Sequence, residues 1–166
     1  MADAVAIKKH AGDRAIAATT LMIPHPYKKS MAEKFIRMQA AAFKKGNITN
    51  FAITLAADGS FIGIIGLTIN NEHKRAELGY WIGKPFWGNG YATEAGRAVL
   101  QYGFEKLGLR RIHAGHFANN PASGRVQQKL GMVREGYERK HILKWGEEID
   151  HIINAILKSE YDRLIK

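Results

Sequence analysis

The chain has 166 residues, 46% of them hydrophobic, and contains no cysteine. That length supports one buried core, and the missing cysteine excludes disulfides, thiolate catalysis and cysteine-ligated zinc, which points to an intracellular, cytoplasmic protein. The 25 Lys and Arg against 15 Asp and Glu give a formal net charge of +10, which favours anionic partners such as a polyphosphate, an acidic substrate or RNA.

The basic residues are scattered in pairs, Lys28-Lys29, Lys44-Lys45 and Arg110-Arg111. A solvated basic surface accounts for them, and no RNP-type or KH-type nucleic-acid motif is present. Lys8, Lys9, His10 and Asp13 interrupt any signal-like apolar run near the start. The longest apolar stretch, Phe61 to Ile69, is broken by Gly63, Gly66 and Thr68 and is too short for a membrane span. Without repeats or Pro/Ser-rich linkers, residues 1–166 read as one domain.

Asp13 is placed to cap a short helix running to Leu21. Ile23-Pro24-His25-Pro26-Tyr27 reads as an irregular loop, because each proline disfavours helix at the residue before it. Ser30-x-x-Glu33 has the capping-box pattern. The helix it opens carries Phe35, Met38, Ala42 and Phe43 on its apolar side and stops at Lys44-Lys45-Gly46.

Three strands follow. Phe51, Ile53 and Leu55 alternate, Asp58-Gly59 is a hairpin turn, and Phe61 to Ile69 returns. After a polar loop, Arg75 to Gly83 is the third strand. A Gly-rich loop then opens a helix whose apolar face is Tyr91, Ala95, Ala98, Val99 and Tyr102. Arg111 to Phe117 is a fourth strand. Asn120 precedes Pro121 as an N-cap with proline at the first helical position, and Val126 and Leu130 stack before Gly131 ends that helix. Met132 to Leu143 and Glu147 to Leu157 close as a hairpin around Lys144-Trp145-Gly146. The predicted order is ααβββαβαββ, an α+β fold.

The chemistry concentrates in two blocks. The first is Tyr80-Trp81-Ile82-Gly83 followed by Trp87-Gly88-Asn89-Gly90-Tyr91-Ala92-Thr93. Glycines at a strand-to-helix turn let backbone N–H groups converge at a helix N-terminus, where the dipole also favours a phosphate. The same glycines also suit a plain tight turn. The second block is Asn120-Pro121-Ala122-Ser123, ending at Lys129-Leu130-Gly131. Asn120 as a helix cap and Ser123 as a small packing residue are the structural alternatives there.

Together these blocks resemble the GNAT N-acetyltransferases, and within them the Rim-type group that acetylates ribosomal-protein N-termini. Gly90 and Ala92 match the two small positions of that family's pyrophosphate loop, while Trp87 stands where Gln or Arg is usual. The resemblance implies a mixed, mostly antiparallel sheet flanked by helices. It also implies acetyl-CoA as co-substrate, held by backbone groups at Trp81 and Ile82 and by Gly88, Asn89, Gly90, Tyr91, Ala92 and Thr93. Asn120 would face the pantetheine arm, and Arg125, with Lys84 and Lys129, the ADP phosphates. Many relatives carry a tyrosine acid seven positions after the asparagine. Here that position is Gln127, so the resemblance passes the proton-donor role to Ser123. The family's extended first strand has only Ala4 to Lys8 to supply it, which leaves it short or missing.

A primary amine must lose a proton during attack, usually to a carboxylate or histidine. Glu77 lies four residues before Trp81 on the same strand face and is the first candidate base. Pairing with Arg75 is its structural alternative, and Glu72, His73 and His113 are further candidates. His25 and Tyr27 are expected at the amine acceptor. The seven histidines show no metal-ligand spacing, and His113 and His116 alternate on one strand, so no metal is expected. The expected function is acetyl transfer to a protein N-terminus or a small amine. The alternative is a non-catalytic CoA-binding or ribosome-associated module on the same fold. Expected partners are acetyl-CoA and the amine acceptor, with no membrane and a monomeric or homodimeric state.

Overall fold

The computed structural model describes residues 3–165. Six strands form one sheet: β1 (Ile48–Thr54), β2 (Phe61–Asn70), β3 (Arg75–Ile82), β4 (Arg111–Phe117), β5 (Val133–Lys144) and β6 (Glu147–Leu157). Their spatial order is β1-β2-β3-β4-β6-β5, with only β3 and β4 parallel.

Alternation divides the strand residues between two helical layers. Ala76 and Leu78 of β3, with Ile112 and Ala114 of β4, face α4 (Tyr91–Gln101), α5 (Pro121–Lys129) and α6 (Lys158–Leu164) in the larger core. Trp81 and Ile64 lie on the other face, packed with α1 (Asp3–Ala11) and α3 (Lys29–Lys44). Between those helices runs α2 (Arg14–Thr19), capped by Asp13 Oδ1 accepting from Ala15 N at 2.8 Å.

Five details differ from the sequence reading. Ala4 to Lys8 is not a strand but part of α1, with Ala4, Ile7 and Ala11 buried at i, i+3 and i+7. The α3 helix begins at Lys29 rather than behind Ser30, so Ser30 is an exposed helical residue and not a cap. Its inward face is Ala32 with Phe35 and Ile36, leaving Met38 and Phe43 57% and 60% exposed. The buried face of α4 is Thr93, Gly96, Val99 and Leu100, and Ala98 is exposed. Gly96 sets that rotation, since a Cβ there would meet Leu130 at 2.7 Å. The final helix α6 was not predicted; Tyr161 anchors it against Phe104 and Glu105.

The decisive feature is the β3–β4 junction. The two strands pair only through Arg75–Arg111, Ala76–Ile112 and Glu77–His113. Beyond that point β3 continues to Ile82 and β4 to Phe117 with no shared ladder. The sheet therefore carries a V-shaped cleft, widening toward the loop that joins β3 to α4.

Candidate active site

At the open end of the cleft, Lys84–Phe86 makes one 3₁₀ turn and the chain then passes through Gly88 and Gly90. Both have left-handed backbones, with φ of 82° and 85°, which only glycine adopts freely. Gly90 is the N-cap of α4, and its carbonyl accepts from Thr93 N and Glu94 N at 2.9 and 3.0 Å. Among the described residues, the backbone N–H groups of Gly88, Asn89, Gly90, Tyr91 and Ala92 have no protein partner. Thr93, predicted as a further donor, is buried and already bonded to Gly90, so the free run ends at Ala92. Five free donors and a helix N-terminus on one exposed turn make an anion cradle.

Trp87 acts as a strut across this turn. Its indole Nε1 donates to Ile82 O at 2.6 Å, tying the loop to the end of β3. The Ile82 carbonyl is thereby engaged. The Ile82 and Trp81 side chains are packing residues, Trp81 lying edge-on to Phe61 with ring centres 5.9 Å apart.

On the α5 side of the cleft, Asn120 caps the helix, with Oδ1 accepting from Ser123 N at 3.3 Å. Ser123 Oγ lies 2.8 Å from Tyr80 Oη, and Tyr80 also reaches the Ser123 carbonyl at 3.1 Å. Burial pushes the Tyr80 hydroxyl above the ordinary tyrosine value, against the opposing hydrogen bonds of Ser123 and Gln127, so it stays protonated at neutral pH. Tyr80 did not emerge as a site residue from sequence. The signal was present: strand alternation puts it opposite Trp81 and toward the helix that carries Ser123.

Behind Ser123 lies a buried polar network. Gln127 is fully buried. Its Nε2 donates to Gly115 O at 3.3 Å and to Ser123 Oγ at 3.4 Å, and its Oε1 meets His116 Nδ1 at 3.1 Å and accepts from Asn154. Gln127 is therefore a framework residue that orients Ser123. Burial holds His116 below the usual histidine range, with the Gln127 bond opposing.

The opposite face of the sheet carries Glu77, exposed at the vertex, beside His113. No salt bridge joins Glu77 to Arg75 among the described residues. Burial holds the His113 ring neutral, with the Glu77 charge opposing, and its Nδ1 is buried without a partner. Glu77 and His113 line one recess with Thr68, Asn70 and Arg75. Glu77 and Ser123 thus stand on opposite faces of the sheet, one on each side of the cleft.

Tyr27 packs half-buried among the residues that also hold Trp81, whereas His25 is exposed on the loop. That loop is clamped from β5: the buried Lys144 donates Nζ to the carbonyls of Thr20, Leu21 and Ile23 at 2.8, 3.3 and 3.4 Å. Arg125 is exposed on α5. His113 and His116 do face opposite sides of β4, as their spacing implied. A Glu138–His141–His151 cluster, not recognised in the sequence, brings its ligand atoms within 4.8 Å of one another.

No helix among the described residues is long and apolar enough to cross a membrane. The family described as acetyltransferase (GNAT) domain matches residues 1–133. The uncharacterized N-acetyltransferase YoaA of Bacillus subtilis (strain 168) is 35% identical over 128 residues, 76% of this chain and 72% of that protein. The [ribosomal protein uS5]-alanine N-acetyltransferase of Escherichia coli (strain K12) is 27% identical over 120 residues, 71% of this chain and 62% of that protein. Spermidine N-acetyltransferase from Vibrio cholerae, solved with CoA and spermine, superposes with a TM-score of 0.83 over 96% of this chain and 92% of its own, at 24% identity. The chain belongs to the GNAT family and is an N-acetyltransferase, moving acetyl to an amine.

Proposed function

We propose that this enzyme acetylates a primary amine at a peptide N-terminus, using acetyl-CoA laid along the β3–β4 cleft. The single observation that carries this reading is the parting of β3 and β4 beyond Glu77 and His113, with the free donors of Gly88 to Ala92 at the wide end. An extended pantetheine arm fits a cleft edged by unpaired strand backbone, near Trp81 and Ile82 and beside Asn120. The pyrophosphate fits the anion cradle, with the exposed cation Arg125 for the ADP phosphates.

The amine lone pair attacks the thioester carbonyl carbon and forms the C–N bond. Collapse of the tetrahedral intermediate then breaks the C–S bond and releases CoA thiolate. Ser123 Oγ–H passes a proton to that thiolate and recovers one from solvent, with Tyr80 and Gln127 orienting its hydroxyl. Glu77 stands on the opposite face, where it binds the incoming ammonium and can take its proton directly or through water. Tyr27 and His25 border the acceptor.

The formal net charge of +10 argues against a polycationic polyamine as acceptor, since like charges repel on approach. It does not disfavour a singly charged N-terminus. The uS5-alanine enzyme of E. coli supports the same choice, as a relative named for an alanine of a ribosomal protein. A cytoplasmic setting goes with this reading, because acetyl-CoA is too highly charged to cross a membrane unaided.

The test is CoA release with panels of free-N-terminus peptides, polyamines and small amines. Peptides should turn over, and their N-acetylated forms should not. A preference for polyamines would overturn the acceptor class, and no CoA release from any amine would overturn the transfer reading.

A further inference from the structure

The β5–β6 hairpin carries a second ionisable pair that reaches the cleft. Glu138 and His151 face each other across the two strands, on the sheet face shared with Phe117 and Ile149. His151 Nδ1 lies 2.8 Å from Glu138 Oε2. The hydrogen bond holds the Glu138 carboxyl below its ordinary value, so the carboxylate accepts and Nδ1 carries the proton. The lone pair is then on Nε2. His141 stacks on the ring with centres 5.5 Å apart and planes 18° from parallel, which fixes the imidazole.

The Nε2 end points across β4. A Cβ built on Gly115 would lie 2.2 Å from His151 Nε2 and 2.5 Å from Cε1, so only glycine lets the ring reach over the strand there. Gly115 is two residues past the last paired residue of β4, His113. Continuing that register would set it opposite Gly79, whose own side is open space. The ring is half-buried, and no described residue bonds its Nε2.

We propose that His151, oriented by Glu138, is a second proton acceptor for the attacking amine, set further into the cleft than Glu77. The inference rests on the acetyl-transfer reading above. As the amine forms its C–N bond, nitrogen's surplus proton passes to His151 Nε2. The imidazolium is stabilised by Glu138, the C–S bond breaks toward the Ser123 side, and His151 returns its proton to solvent. Gly79 leaves room for the amine on the β3 side, while Gly115 admits the ring.

A metal is the competing use of this cluster. Two ligands held by one tetrahedral zinc at about 2.0–2.1 Å sit roughly 3.4 Å apart. The observed 2.8 Å is a hydrogen bond instead.

The test measures kcat against pH with saturating acetyl-CoA and a peptide acceptor, alongside acetyl-CoA binding by calorimetry. The groups facing the ring are Glu138 and His141 from β5, with His113 of β4 and Glu77 of β3 on the same sheet face; His116 is close enough to feel the ring's charge but lies on the other face. His151→Gln should lower kcat by about 10²–10⁴-fold and abolish the acidic limb of the profile, with acetyl-CoA affinity unchanged. Glu138→Gln, which removes the carboxylate that orients the ring, should lower kcat in the same direction but by less, with acetyl-CoA affinity unchanged. A His151→Gln profile matching wild type, with the limb lost instead in Glu77→Gln, overturns the proposal alone. A wild-type rate abolished by chelator and restored by zinc overturns it in favour of a metal site. A wild type that binds acetyl-CoA but acetylates no amine overturns the transfer reading itself.

Discussion

Glu77 and His113 are the last residues of β3 and β4 to face one another, and the cleft begins immediately beyond them. One short parallel ladder therefore decides two things. It fixes where unpaired strand backbone becomes available, and it sets a carboxylate beside a neutral imidazole at the narrow end. The wide end is left to the Gly-rich turn, so its free backbone donors and the Glu77–His113 pair are separated by the length of the diverging strands.

The turn gives the first prediction. Gly90 has φ of 85° and open space where a Cβ would go. Gly90→Ala then imposes only backbone strain, about 1–2 kcal/mol, without filling the cradle. Gly90→Glu adds the same strain plus a carboxylate at the free backbone donors, where the proposed pyrophosphate would be repelled. Calorimetry should show a modest loss of acetyl-CoA affinity for the alanine variant and well over tenfold for the glutamate. Equal affinities in the two variants would remove the cradle from the binding site.

The proton-donor side gives the second. Thiols titrate near about 8.5, so a departing thiolate needs only partial help. Ser123→Ala should lower kcat by roughly 10²-fold, the low end of acid assistance, with acetyl-CoA affinity nearly intact. Tyr80→Phe should lower kcat less, and Tyr80→Phe combined with Ser123→Ala should add little, since both act on one hydroxyl pair. Full kcat in Ser123→Ala would make that hydroxyl a packing group.

Much of this was legible from sequence because it rests on local rules. The Asp13 cap, the Asp58-Gly59 and Trp145-Gly146 turns, the Asn120-Pro121 helix start and all six strands follow from periodicity and turn chemistry. The misses are tertiary. Gln127, noted from sequence only as standing where relatives carry a tyrosine, lies in the core because His116 and Asn154 from two different strands converge on it. The Glu138–His151 pair depends on the register of a hairpin with a bulge between Glu138 and Ile142. The rotation of α4 depends on Gly96 meeting Leu130, which no helical periodicity encodes.

Gln127 gives the third prediction. A tyrosine cannot replace it, because the site is fully buried and every polar atom of the amide is bonded. Gln127→Ala leaves His116 and Asn154 short of a partner. Each unsatisfied buried group costs about 1–3 kcal/mol. Thermal denaturation should show a clear drop in Tm and kcat should fall with it. An unchanged Tm would mean that the network has relaxed or found water.

The loop from Thr20 to Tyr27, proposed to border the acceptor, gives the fourth. Lys144 donates to three carbonyls of Thr20, Leu21 and Ile23, joining the stretch before Tyr27 to the last hairpin. Lys144→Met keeps the stem but drops those bonds, and losing a charged hydrogen bond costs roughly 1.5–3 kcal/mol. The acceptor KM should rise while acetyl-CoA affinity holds. Tyr27→Ala should have the same signature. An equal loss of acetyl-CoA affinity would move this loop out of the acceptor site.

Stability against pH gives the last. Burial holds His10, His113 and His116 below the ordinary histidine value of 6.5. The unfolded chain keeps that ordinary value, so below pH 6.5 it binds protons that the folded chain refuses. Stability therefore rises with pH through this window and is lost as pH falls from 6.5 toward the folded values. The carboxylates lowered by their partners, Glu135 by Arg111 and Glu138 by His151, start from 4.5 and act only at still lower pH. The interval between about pH 5 and 6.5 thus belongs to the histidines. Tm should drop on going from pH 7.5 to 5.5, with proton uptake on unfolding at the lower pH. His116→Gln should shrink both the slope and the uptake, even where it lowers Tm at pH 7.5. A Tm that is flat or rising on acidification would mean that these rings become charged within the fold.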